Sequence, residues 1–215
     1  MVMNSKWITY GLCIFYLSFH KTFGIDDNQF WTSVTVEKQL PYSLDLEFEQ
    51  ELRLKNQLST FSQTFSELSI SYKINDRLKI QIPYRYAIFD EKIKQRISFG
   101  GSYKININPI SVKYRTRFQR TKEQENDDKD LIRNKITFEY KFDKKIEPFM
   151  SGELMHFPNT EKQTLDGYRI SLGFSIDLPH KKSIKIFYIF KKEDLPSLVP
   201  EEINIFGLAF SLELN

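Results

Sequence analysis

The sequence predicts an all-β protein, an antiparallel transmembrane β-barrel of about 10–12 strands with short periplasmic turns and longer extracellular loops. Three observations support this fold class. From Phe30 onward, apolar and polar residues alternate with the period of two that is typical of a β-strand. The alternating runs are each close to the roughly 9 to 11 residues with which a tilted strand crosses a membrane. The connections between the runs alternate between short and long, as they do in outer-membrane barrels.

The alternation is clearest in the second run, where Leu44 and Phe48 lie on one face and Asp45 and Glu47 on the other. The predicted strands are residues 30–38, 44–54, 65–74, 78–88, 93–105, 110–118, 131–142, 146–157, 168–178, 183–192 and 203–214. Single-chain bacterial barrels normally have an even number of strands, and eleven runs are odd. Two alternatives follow. Residues 25–30 could add a short strand to give twelve, or the barrel could close as ten.

The first 24 residues have the pattern of a signal peptide. Lys6 precedes an apolar run at 7–19, and small residues follow up to Gly24. The apolar run is shorter than the about 20 residues that a membrane-spanning helix needs. We therefore expect export, cleavage after residue 24, and a single barrel domain over residues 25–215.

Cysteine usage and charge exclude several classes of function. The one cysteine, Cys13, lies in the predicted signal peptide, so the mature chain would have no disulfide and no cysteine nucleophile. Cleavage would also remove Lys6 and Lys21, and the formal net charge of +3 would fall to +1. This balance gives no reason to expect a nucleic-acid partner.

The polar faces of the strands indicate which side of the sheet is inside. One strand has acids at positions 45, 47, 49 and 51, whereas later strands have mainly Lys and Arg. Such segregation suits a narrow closed lumen in which acids and bases pair. The residues expected in this lumen ion-pair network, as structural or solute-facing groups, are Asp45, Glu47, Glu49, Glu51, Arg53, Arg85, Arg96, Arg115, Arg117, Arg133, Glu153 and Arg169.

Aromatic residues near the strand ends support membrane insertion, because they fit the interfacial girdle of a membrane barrel. They are Trp31, Tyr42, Tyr72, Phe89, Tyr103, Phe142, Phe157 and Tyr168. The alternative is a soluble periplasmic lipocalin-like carrier, which would bury its apolar face around a cavity.

A set of short motifs resembles a known family. The motifs are Trp31, Glu51-x-Arg53, Tyr84-Arg85, Arg96, Arg115-x-Arg117, Arg133, Pro148-x-x-Ser151-x-Glu153 and Arg169. In their order and spacing, from about Gln29 to the end, the chain is similar to a bacterial outer-membrane β-barrel family known as domain of unknown function 2490. The resemblance implies an exported barrel without an assigned activity. The chain departs from the family pattern at Gln119, where an acid is expected.

The best enzymatic candidate is the group Ser151, Glu153 and His156, since lipid or lipopolysaccharide hydrolases use Ser, His and a carboxylate. Strand parity opposes it, because His156 should point away from Ser151 and Glu153 unless a bulge intervenes. His156 and His180 are far apart, so no metal site and no cofactor is expected. The acidic loop 123–130 lacks the glycine-punctuated spacing of a calcium loop.

These observations predict an outer-membrane protein of a Gram-negative cell, surrounded by membrane lipid. Its expected role is that of a structural or binding component, or of a narrow conduit for a small solute. Long Arg and Glu side chains would fill much of the lumen of a barrel this small, which argues against a wide porin.

Overall fold

The computed structural model describes residues 27–123, 126–141, 145–158 and 164–214, and the predicted signal peptide lies outside them. The described residues form eleven strands. In chain order these are β1 (Asp27–Leu40), β2 (Leu44–Lys55), β3 (Thr60–Lys73), β4 (Leu78–Phe89), β5 (Ile93–Ile107), β6 (Ile110–Glu123), β7 (Asn126–Tyr140), β8 (Ile146–Phe157), β9 (Thr164–Leu178), β10 (Lys182–Glu193) and β11 (Glu201–Leu214). None of the described segments contains a helix long and apolar enough to cross a membrane.

The two faces of the sheet differ in chemistry because successive side chains point to opposite sides of a strand. On β5, Ile97 and Phe99 are 55% and 58% exposed, whereas Ser98 between them is 4% exposed. The apolar face therefore points outward and the polar face points into the lumen. A soluble carrier with an apolar cavity would have the opposite arrangement, so that alternative is wrong. The predicted transmembrane β-barrel fold is confirmed.

The barrel closes through its first and last strands. Each strand pairs antiparallel with its neighbours in sequence, whereas β1 and β11 pair in parallel, from Asp27 opposite Ile203 to Lys38 opposite Leu214. An odd number of antiparallel strands leaves the first and last strands pointing the same way, so a parallel seam is needed for closure. Residues 27–30 continue β1 and form no separate strand. The proposed closures with ten and with twelve strands are therefore wrong for the described residues.

The connections define two ends of the barrel. We call the end with the connections after β1, β3, β5, β7 and β9 the turn end, and the opposite end the loop end. Two turn-end connections, 41–43 and 179–181, contain pairs of non-glycine residues with positive φ, namely Tyr42 with Ser43 and His180 with Lys181. Left-handed pairs of this kind match the twist of a tight hairpin.

Two of the predicted long connections at the loop end are shorter than expected, because their polar residues continue the strands. Residues 60–64 belong to β3. Strand β6 extends to Glu123, and β7 begins at Asn126. Arg120 Nε and Nη2 each lie 2.7 Å from a carboxylate oxygen of Asp130 across this hairpin. A bidentate cross-strand ion pair stabilises strand pairing where composition alone suggests a loop.

Candidate functional site: a charged lumen with a cationic cavity

The four acids of β2 share the inward face but differ in their partners. Asp45 accepts from Lys79 Nζ at 3.1 Å and lies 3.2 Å from Lys73 Nζ. Glu51 pairs with Arg53 on its own strand. Glu47 and Glu49 form no ion pair with any residue in the described part of the chain. The acids of β2 thus do not neutralise most of the lumen arginines, contrary to the expected pairing across the barrel.

Three of the seven predicted lumen arginines gather around Glu153, which points into the lumen from β8. Its carboxylate lies 2.5 Å from Arg133 Nη2, 3.1 Å from Arg115 Nη2 and 3.9 Å from Arg169 Nη1. Glu153 is 5% exposed. The four residues come from β6, β7, β8 and β9, which are consecutive in the wall, so strand pairing alone brings them together.

A second acid, Glu67 on β3, pairs with two further predicted arginines. Its carboxylate lies 2.6 Å from Arg85 Nε and 3.8 Å from Arg117 Nη1. Glu67 is not among the residues predicted for the lumen network. The available signal was parity, since Glu67 alternates with the outward Leu68 and Ile70 and shares its face with Ser69.

A third acid, Glu193, lies at the loop end of β10 and was also missed. It pairs with Lys191 and lies 3.4 Å from Arg169 Nη2. Arg169 therefore bridges Glu153 and Glu193. Glu193 lies one residue beyond the run that the alternation predicts, and this explains why sequence analysis did not include it.

Two aromatic side chains hold the arginines inside the lumen. The guanidinium carbon of Arg53 lies 3.5 Å from the ring centroid of Trp31, and that of Arg85 lies 3.5 Å from the centroid of Phe65. Trp31 is 5% exposed and Phe65 is 1% exposed. Stacking of this kind holds a guanidinium plane in a fixed orientation. The placement of Trp31 in an interfacial girdle is therefore wrong, because its ring lies inside the barrel. Among the other girdle residues, Phe142 lies outside the described residues.

Aromatic rings and glycines alternate along one row of the wall and narrow the lumen. Cross-strand pairing follows the order Phe149, Gly173, Phe187, Gly207, Trp31. A Cβ on Gly173 would lie 2.8 Å from a ring carbon of Phe149, and a Cβ on Gly207 would lie 2.0 Å from one of Phe187. The glycines are therefore needed because each leaves room for the ring beside it.

A cavity of about 160 Å³ lies at the loop end of the lumen. Its wall includes the carboxylate of Glu193 and a larger number of cationic side chains, namely Arg53, Arg85, Lys94, Arg96, Arg133, Arg169 and Lys191. Arg96 differs from the others because it forms no ion pair with any described carboxylate. Its Nε donates to Thr121 Oγ1 at 2.9 Å. The lumen thus has a surplus of positive charge at this end.

Position 119, where an acid is expected from the family pattern, has a buried glutamine. Gln119 is 2% exposed, and its side-chain oxygen accepts no hydrogen bond from a described donor.

The described residues do not assemble a hydrolase triad. Ser151 is 2% exposed, and its Oγ has no hydrogen-bond partner among the described atoms. A bulge does occur next to His156, but it lies where β9 pairs with β8 and leaves His156 opposite Ile132 on the outward row. Glu153 is occupied by arginines. Within the described segments, no three His, Cys, Asp or Glu side chains are grouped as a metal site requires.

Two solved structures are similar to this chain. The structure is similar to a NanC porin at a TM-score of 0.50 and 10% identity, covering 76% of this chain and 86% of that one. It also resembles a bacterial polysaccharide outer membrane secretin at a TM-score of 0.49 and 10% identity, covering 78% and 73%. The likeness to the porin concerns the fold alone. No curated protein sequence matches the chain.

A family model described as "Protein of unknown function (DUF2490)" matches residues 28–198. This range contains every member of the predicted lumen network. The chain therefore belongs to this family of proteins of unknown function, as its motifs predict.

Proposed function

We propose that this chain is an outer-membrane barrel whose lumen is a narrow, water-filled conduit for a small solute. The observation that carries the proposal is a set of lumen charges without ion partners in the turn-end half. Glu47 and Glu49 on β2, and Lys113 and Lys135 on β6 and β7, form no ion pair with any residue of the described chain. Ionised side chains without partners need water around them, so this half of the lumen is hydrated.

These charges are arranged by sign across the lumen. In the closed wall, β2 and β7 are separated by β3 to β6 on one side and by β1 and β8 to β11 on the other, so the two strands lie opposite each other. Acids on one wall and lysines on the other produce an electric field across the lumen. Such a field orients dipolar solutes and concentrates charged ones.

A layer of buried side chains in the loop-end half of the lumen sets the width of the conduit. Phe65, Met155 and Ile205 are 1%, 2% and 0% exposed and lie inside the barrel. Stacked arginines lie beside Phe65 and Trp31. A path through the barrel must pass this layer, so we expect small conductance rather than that of a wide pore.

Single-channel recording in planar bilayers tests the proposal. We expect the purified full-length mature protein to give discrete conductance steps, and Phe65→Ala to raise the step size because it removes a ring from the narrow layer. The matched control is Phe99→Ala, which removes an outward ring that is 58% exposed and should leave the step size unchanged.

Heat-modifiable migration on gels would first establish that each variant is folded. If the wild type and the folded Phe65→Ala variant both give no steps, the conduit is ruled out and the barrel is a plugged structural component.

A further inference from the structure

We propose that the cavity at the loop end is a binding site for a small oxyanion, a phosphate or a carboxylate. The proposal names the class of solute for the conduit and rests on the proposed function for its use in the cell. Binding itself needs only the folded barrel. Three features of the cavity support the assignment: its charge balance, the position of Arg96 and the rigidity of its arginines.

Charge balance is the first feature. Five carboxylates lie in or next to the wall, those of Glu51, Glu67, Glu123, Glu153 and Glu193. They pair with nine cations, which are Arg53, Arg85, Lys92, Lys94, Arg115, Arg117, Arg133, Arg169 and Lys191. Arg96 adds a tenth cation. Like charges this close repel one another, and an anion in the cavity would relieve that repulsion.

The second feature is a cation without an acid. Arg96 lies opposite Arg85 on the neighbouring strand and lines the cavity. Within the described part of the chain, its side chain forms one hydrogen bond, to Thr121, which uses Nε and leaves both terminal nitrogens to donate to a ligand. The buried Nε of Arg169, another residue of this wall, also has no acceptor among the described atoms. Until an anion enters the cavity, only water can accept hydrogen bonds from the terminal nitrogens of Arg96.

The third feature is rigidity. Arg53 and Arg85 stack on Trp31 and Phe65, and the guanidinium groups are thereby held in place before a ligand arrives. Planar guanidinium groups match the two-oxygen edge of carboxylates and phosphates. The cavity volume of about 160 Å³ exceeds the roughly 10–15 Å³ that one water molecule needs on the same measure, so the cavity has room for a small anion in place of several waters.

The test is calorimetric titration of the full-length mature barrel in detergent with inorganic phosphate and, separately, with succinate. We expect saturable binding of at least one anion. Arg96→Gln should weaken it by about tenfold or more, since a hydrogen bond to a charged group contributes that much. This substitution leaves no carboxylate without a partner, so the barrel should still fold. Arg96→Lys keeps the positive charge and should retain most of the affinity.

The matched control is Lys185→Gln. Lys185 also points into the lumen from its strand and forms no ion pair among the described residues, but it lies toward the turn end and does not line the cavity. We expect the affinity of the Lys185→Gln variant for the anion to stay within about twofold of wild type, because a large part of the lumen separates Lys185 from the cavity.

Several results would overturn the oxyanion site. They are the absence of saturable binding of either anion, equal affinities for wild type and Arg96→Gln, or equal losses in Arg96→Gln and Arg96→Lys. Conductance separates this proposal from the previous one. If the barrel binds phosphate but never conducts, the oxyanion site is supported and the conduit is ruled out. If it conducts without binding either anion, the conduit is supported and the oxyanion site is ruled out.

Discussion

At the scale of single residues, Glu153 stands out because its one carboxylate is the ion partner of three arginines. Arg115, Arg133 and Arg169 all approach its carboxylate, which is 5% exposed. A buried ion cluster gives little net stabilisation when it is intact, but removing one member leaves the opposite charges uncompensated. The consequences of a substitution here are therefore larger than the energy of any one contact.

Glu153→Gln should destabilise the folded barrel by about 3–5 kcal/mol, the usual cost of breaking a buried ion pair. Glu147→Gln is the control, since Glu147 lies on the same face of β8 and forms no ion pair with a described residue. Denaturant unfolding of the detergent-folded proteins would measure both. Equal unfolding free energies for the two variants would contradict the central role of Glu153.

At the scale of elements, the parallel seam between β1 and β11 allows a wall of eleven strands to close. Its register runs without a shift from Asp27 opposite Ile203 to Lys38 opposite Leu214. Because the side-chain period is two, a slip of one residue would turn the inward residues of one strand toward lipid. The buried Trp31 and Ile205 beside the seam hold this register.

Paired cysteines test the seam, since the described part of the chain contains no cysteine. Thr35 lies opposite Ser211, so Thr35→Cys with Ser211→Cys should form a disulfide under mild oxidation. In the control pair, Thr35→Cys with Ala209→Cys, the second cysteine lies two residues away from the position opposite Thr35. This adds roughly 6.6 Å along the strand, so the control pair should not cross-link. Migration on non-reducing gels distinguishes the pairs. Equal cross-linking of both pairs, or of neither, would contradict the parallel register.

At the scale of the whole molecule, the outer surface is suited to lipid. Large apolar side chains such as Ile82, Phe99 and Phe174 are 53%, 58% and 53% exposed. In water a surface of this kind would aggregate, whereas in a bilayer it faces hydrocarbon.

Phe99→Arg places a charge near the middle of β5 on the outer face and should disfavour folding into lipid bilayers by about 2–4 kcal/mol. Ile107→Arg makes a similar change on the same face at the end of the strand, where the cost is expected to be about 0–1 kcal/mol. Ile107 is 66% exposed and therefore equally accessible. Equilibrium folding into vesicles would measure the difference, and equal costs would argue against a bilayer around β5.

Sequence alone predicts the strands well and the site only in part. Alternation locates all eleven strands, because one face must be apolar and the other polar along the whole wall. It also places Arg115, Arg133 and Glu153 on the inner face. It does not reveal that Glu67 and Glu193 hold the arginines, or that Arg96 has no acid, because contacts across the lumen depend on how the strands are staggered. Strand parity does place Trp31 on the inner face with Ser33 and Thr35, so its assignment to a girdle rested only on its position near a strand end.

The parallel seam also has a consequence for how the protein forms. Every other wall contact joins strands that are neighbours in sequence, but the seam joins residues such as Asn28 and Asn204, which are 176 positions apart and linked by a 3.3 Å hydrogen bond. Bringing the chain ends together has the largest loop-closure entropy, so the hairpins are expected to form before the seam. Until then the sheet has two open edges that can pair with other chains. A molecule whose barrel has not yet closed is therefore most vulnerable to aggregation just before closure, and the unpaired edges of β1 and β11 are the surfaces that assembly must protect.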